Sequence, residues 1–215
     1  MPFTPAPTCD ITIDVSHHQG NIDWATVKQT GIQCVMIKAT QGLTKDSRWE
    51  INRDDARQQG LMVIPYAFLS TSAAAGAQAD FFIQTAGLAA GMAAALDWEG
   101  DDAPEAAFVE QTGLAVFEVI KREPLGYWGG SPPATPTPLM KRWPRWIPRY
   151  GANDGNPDLN HRPTEPWLFW QYTSNQQVDG ITGSADASLF AGSEAELKAW
   201  FETGALPTSL VGAIV

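Results

Sequence analysis

Two acids two residues apart, Asp97 and Glu99, close the apolar run Met92-Ala-Ala-Ala-Leu-Asp-Trp-Glu99. On an extended strand residues i and i+2 share a face, with Cα atoms roughly 6.5–7 Å apart. Carboxylates that close repel, so at least one pKa rises and one group holds its proton near neutrality. A protonated acid beside an ionised one can donate a proton to the leaving oxygen of a glycosidic bond. Glu99 is nearer the strand end and has the longer reach, so it is the expected proton donor. Two more acids belong to the set: Asp14 ends the run Ile11-Thr-Ile-Asp, and Asp186 opens a short segment reaching Phe190. Three of the four follow hydrophobic runs, where an unpaired acid is costly to bury. A lone D-x-E is weak by itself, because an ordinary polar strand end looks the same.

Competing chemistries have little support. His17, His18 and His161 show no zinc spacing. No G-x-S-x-G elbow and no phosphate-cradling loop is present. We therefore expect neither a metal nor an organic cofactor. One of His17 and His18, three and four residues past Asp14, is expected to line a cleft; an exposed turn is the equal alternative. Cys9 and Cys34 each precede a strand, so a bridge is geometrically possible, but two cysteines make no disulfide framework and free buried thiols are expected.

The elements that must position these acids alternate. Strands are expected at 11–16, 34–40, 61–68, 92–99 and 124–128, with helices at 21–30, 47–59, 72–86 and 104–121 between them. That order argues for βαβ units and a parallel sheet. After residue 130 the texture changes. Residues 131–148 are rich in proline, 145–150 and 168–173 read as strands with no full helix between them, 186–190 as a last short strand, and 194–202 as a closing helix. The fold class is thus α/β: an irregular TIM-like barrel of about eight strands, with helices reduced in the second half. In such a barrel the site lies at the C-terminal strand ends, where the four acids converge.

The chain has 215 residues and a formal net charge of −10, the size of one catalytic domain spanning 1–215, with its core at about 10–190 and a closing helix and tail at 191–215. That charge gives no pull toward nucleic acid or anionic membrane, and no apolar run approaches the ~20 residues that span a bilayer. A polymer must then be held by shape, hydrogen bonds and stacking. Nine tryptophans suit sugar faces, though most are expected in the core; Trp128 is an expected sugar contact. The N-terminus lacks a basic n-region and an apolar h-region, so no signal peptide is read, and a substrate outside the cell would be reached by release or delivery by another route. The short apolar tail 209–215 is expected to pack on the body. Lys141, Arg142, Arg145, Arg149 and Arg162 form a basic cluster in an acidic chain, expected either to bind peptide carboxylates or to be a solvated face.

Taken in order, the motifs resemble those of the glycoside hydrolase family 25 lysozymes. Asp14-Val-Ser-His-His-Gln-Gly20 with Ile22-Asp-Trp24 is similar to that family's opening, followed by Val35-Met-Ile-Lys-Ala-Thr-Gln-Gly42, Pro65-Tyr-Ala-Phe68, Leu96-Asp-Trp-Glu99, Trp146-Ile-Pro-Arg-Tyr-Gly151, Trp170-Gln-Tyr-Thr173, Val178-Asp-Gly-Ile-Thr-Gly183 and Asp186. The resemblance implies an irregular barrel acting on bacterial peptidoglycan as a monomer, hydrolysing the β-1,4 bond from N-acetylmuramic acid to N-acetylglucosamine. It implies Glu99 as acid/base, Asp97 as its partner, and Asp14 and Asp186 as the further acids, with Tyr66, Trp170 and Gln171 lining the cleft; His18 and Arg149, read from the residues themselves, are the further expected substrate contacts. The chain departs from the family at Ala67, where His is common, at Trp98, and across 129–143. Trp98 should point away from the cleft. Retention through the substrate's N-acetyl group and inversion through an activated water both stay open. So do an inactive glycan-binding module and a chitin-directed glycosidase.

Overall fold

A computed structural model of the chain describes residues 11–129 and 132–212. Cys9 and the last three residues of the apolar tail lie outside them. Nine strands form one sheet: β1 (Ile11–Val15), β2 (Cys34–Gln41), β3 (Thr44–Lys45), β4 (Met62–Phe68), β5 (Ala95–Asp97), β6 (Leu125–Tyr127), β7 (Arg145–Pro148), β8 (Phe169–Gln177) and β9 (Ser184–Phe190). Their order is β1-β9-β8-β7-β6-β5-β4-β2-β3, and a further β1–β2 pairing closes eight of them into a barrel. β3 is an extra hairpin strand on β2.

Helices α1 (Trp24–Gln29), α2 (Trp49–Gln58), α3 (Ala75–Ala86) and α4 (Ala106–Ile120) fill the crossovers of the first half. From β6 onward the described connections carry only short 3-10 turns, until α5 (Glu194–Thr203) closes the chain. The expected architecture is the observed one, with three corrections. First, the sheet is not wholly parallel, because β9 runs antiparallel to both β8 and β1. Six residues join β8 to β9, too few for a parallel crossover, which needs a dozen or more. Gly180 in that turn has φ +96°, and a Cβ there would sit 2.6 Å from the Asp23 carbonyl oxygen.

Second, α1 is shorter than 21–30. Ile22 is taken into a β-bridge with Ile181, and Asp23 caps the helix by accepting from the Thr26 N–H at 3.1 Å. Third, β5 spans three residues rather than eight, so Glu99 lies beyond the strand. Trp98 still donates its N–H to the Tyr127 carbonyl at 3.0 Å, which keeps the chain extended past Asp97.

Apolar strand faces and the inner faces of the helices merge into one buried cluster running from Ile13 to Leu210. Cys34 is a free thiol buried within it, and burial pushes that thiol up to about 12. No helix among the described residues is long and apolar enough to cross a membrane.

Candidate active site

Strand pairing brings the four acids together. Asp14 on β1 lies directly opposite Asp186 on β9, and Asp97 on β5 lies between Phe68 of β4 and Tyr127 of β6. Asp186 is only the third residue of its strand, but because that strand runs antiparallel its beginning falls on the same rim as the ends of the others. Asp14, Asp97, Glu99 and Asp186 line one cleft, together with His18, Lys38, Tyr66, Phe68, Tyr127, Trp146 and Gln171. Past Glu99 the cleft opens into a wider groove of about 560 Å³, lined by Gly100, Gly129, Pro132, Pro133, Pro148 and Arg149. Glu99 is the acid common to both.

Burial and mutual repulsion hold these carboxyls above the ordinary range. Asp97 is raised well above it, first by burial and then by the charge of Glu99. Asp14 is raised well above it by burial and by Asp186. Burial also raises Glu99, against the opposing influence of the neighbouring Tyr127 hydroxyl and the charge of Lys38. Asp186 is pushed up to about 6, by burial and then by Glu99. Four carboxyls of this kind cannot all be ionised near neutrality.

The polar network is specific. Gln171 donates from Nε2 to Asp14 Oδ2 at 2.9 Å and to Asp186 Oδ2 at 3.2 Å. Its Oε1 accepts from the hydroxyls of Tyr127 at 2.8 Å and Tyr150 at 2.5 Å. By contrast, Asp97 Oδ1 is buried with no hydrogen-bond partner. Lys38, 8 % exposed, holds its ammonium 5.0 Å from the Phe68 ring centre and 5.8 Å from that of Tyr66.

The sequence-derived candidates Asp14, Asp97, Glu99, Asp186, Tyr66, His18 and Gln171 all fall in the cleft, and Arg149 falls in the adjoining groove. Trp128 and Trp170 do not line the cleft. Side chains alternate along a strand. Tyr127 and Gln171 face the acids, which turns their neighbours Trp128 and Trp170 outward. Trp128 packs edge-on to Trp98 and beside Trp143. Trp170 is fully buried, with its indole N–H on the Arg149 carbonyl at 2.8 Å. Trp98 also points away from the acids, donating to the Pro104 carbonyl at 2.7 Å.

His17 turns from the cleft to Asp46, with Nδ1 and Oδ2 2.7 Å apart, and His18 is the histidine that lines it. The basic cluster does not converge on the cleft. Arg149 pairs with Glu165 at 2.8 Å, Arg145 lies over the Trp128 ring, and Lys141 lines a separate small pocket with Arg145 and Trp128.

Lys38, Tyr127 and Tyr150 were not singled out from sequence. Lys38 was findable, since a lysine after the apolar run Cys34-Val-Met-Ile carries the same burial cost as the acids. The tyrosines carried no such signal, because a tyrosine at a strand end is ordinary.

Comparison with known proteins agrees with this geometry. Residues 13–181 match the profile described as "Glycosyl hydrolases family 25". Lysozyme M1 of Streptomyces globisporus is 29% identical over 91% of this chain and 72% of its own. The uncharacterized protein YegX of Escherichia coli O157:H7 is 32% identical over 88% of this chain and 72% of its own. The crystal structure of the bacterial lysozyme from Streptomyces coelicolor superposes with a TM-score of 0.73 at 25% identity, covering 92% of this chain and 99% of that one. With the barrel, the rim of acids and these relatives in agreement, the chain belongs to glycosyl hydrolases family 25 and is a glycoside hydrolase.

Proposed function

We propose that this enzyme is a muramidase that cleaves the β-1,4 bond from N-acetylmuramic acid to N-acetylglucosamine within peptidoglycan. The observation that carries this reading is the position of Glu99 at the junction of the acid-lined cleft and the wider groove. A polymer lying through both presents a glycosidic oxygen to Glu99 with sugars on either side, and the relatives named lysozyme act on such a polymer.

Glu99, whose carboxyl burial holds above the ordinary range, gives its proton to the leaving oxygen and later takes one from water. Asp97 Oδ1 is buried and unpaired, an acceptor awaiting a donor. The N–H of the substrate's 2-acetamido group supplies one. Asp97 would then orient that group so that its carbonyl oxygen attacks the anomeric carbon, giving retention. Ionised Asp186, with Asp14 opposite it in the sheet, places negative charge across the cleft from Glu99, where the oxocarbenium ion develops.

Digestion of purified peptidoglycan followed by mass spectrometry tests the bond: reducing muramic ends are expected, and reducing glucosamine ends would overturn it. Product from chitin but none from peptidoglycan would turn the reading to a chitin-directed enzyme. Early NMR of the product should show the β-anomer, and an initial α-anomer would replace retention with attack by water. Glu99→Gln should lower kcat by about 10²–10⁴ with the thermal midpoint retained; undiminished lysis would remove Glu99 from the mechanism.

A further inference from the structure

We infer that Gln171 is a positioning residue, an amide clamp that holds Asp14 and Asp186 at fixed separation and favours their ionised forms, rather than a contact for substrate. A primary amide has two N–H donors and two carbonyl lone pairs. At Gln171 all four are used: one hydrogen to each aspartate, and one lone pair to each of Tyr127 and Tyr150. The side chain is 1 % exposed, so no hydrogen-bonding atom is left for a sugar.

The orientation is also locked. A flipped amide would set its oxygen against two carboxylates and its N–H groups against two hydroxyls. A hydroxyl can turn to accept, but the aspartates would lose both donors. Gln171 therefore acts on the reaction through the charge of Asp14 and Asp186. The hydrogen bond from Gln171 opposes burial and repulsion at Asp14, ahead of the charge of Lys38.

The titratable groups facing the clamp come from every side of the barrel: Asp14 and Asp186 on the amide nitrogen, Tyr127 and Tyr150 on its oxygen, and His18, Lys38, Tyr66, Asp97 and Glu99 around the cleft. Tyr127 matters twice. Its hydroxyl has one hydrogen, which it donates to Gln171, and it also lies beside Glu99.

The kinetic readout of this inference rests on the muramidase reading; the clamp itself does not. The test is titration of aspartate carboxyl carbons in ¹³C-labelled protein, with Asp14 and Asp186 assigned by single Asp→Asn variants. Wild type, Gln171→Met and Tyr150→Phe are compared, together with the pH profile of kcat/KM on purified peptidoglycan. Loss of a hydrogen bond that favours the charged form should raise the midpoints of the pair by about one pH unit in Gln171→Met. Tyr150→Phe, which only loosens the amide, should shift them less and in the same direction. The acid limb of kcat/KM should move with them, while KM stays near the wild-type value.

Midpoints and limb that stay in place while the plateau falls would overturn the clamp and leave Gln171 a packing residue. A raised KM with unmoved limbs would make it a substrate contact, which also overturns the inference. If Gln171→Met fails to fold, unmoved midpoints in Tyr150→Phe overturn it. A folded wild type that releases no muropeptide would overturn the muramidase reading, and the NMR titration would still decide the clamp.

Discussion

Asp186 shows at the scale of one residue what the cleft costs the fold. Its carboxyl is pushed up to about 6 from 3.8, by burial first and then by Glu99. Between those values the folded chain holds a proton that the unfolded chain has released. The stability this represents is complete below about pH 4 and is lost as pH rises through about 6. Asp186→Asn removes the titration, so it should stabilise the enzyme by about 2 kcal/mol at pH 8 and by little at pH 4 while lowering activity. Thermal midpoints at the two pH values check this, and an equal shift at both would show that ionisation of Asp186 is not the cause. Lys38 has the opposite effect, since its charge lowers Asp14, Asp97, Glu99 and Asp186. Lys38→Met should move both limbs of the activity profile to higher pH, read from kcat/KM across about pH 4–9; limbs that stay fixed would mean that Lys38 does not set these charges.

At the scale of elements, α4 and β6 are held beside the cleft by close packing on the outer side of the barrel. A Cβ on Gly113 in α4 would lie 2.2 Å from the Trp143 ring. On helix propensity alone Gly113→Ala should stabilise the helix. The contact reverses the sign: the alanine must displace a fully buried indole that packs against Trp128. The expected loss is about 1–3 kcal/mol, a drop of roughly 2–4 °C in thermal midpoint per kcal/mol. A rise in midpoint would show that Trp143 yields freely. The same tryptophans explain why Trp128 does not line the cleft, since together with Trp98 and Trp143 it joins the barrel to the segment 132–144.

The whole molecule carries a net charge of −10, and a peptidoglycan rich in stem-peptide carboxylates is anionic as well. The two repel over a Debye length, roughly 30 Å at 10 mM salt and about 8 Å at 150 mM. Activity on purified peptidoglycan should therefore rise as salt is raised across that range, mainly through kcat/KM. A steep fall would instead point to attractive contacts that outweigh the net charge, with Arg149 in the groove the first residue to substitute.

Much of this protein is local, and the sequence alone determined it. Alternating apolar runs and helical stretches set the order of strands and helices. The burial cost of an acid after an apolar run marked Asp14, Asp97 and Glu99. Period-two alternation turned Trp98 outward. Tertiary structure decided what depends on residues far apart in sequence. β9 runs antiparallel because its short connection to β8 allows nothing else, and that reversal sets Asp186 against Asp14. Gln171 meets Asp14 across 157 positions of chain, a pairing that no local pattern encodes. Trp128 and Trp170 looked available for stacking because composition says how many aromatics there are, while barrel closure decides which way each one faces. The acids could be named from their own neighbourhoods, whereas the hydrogen bonds that join Asp14 and Asp186 through Gln171 to Tyr127 and Tyr150 became visible only once the barrel had closed.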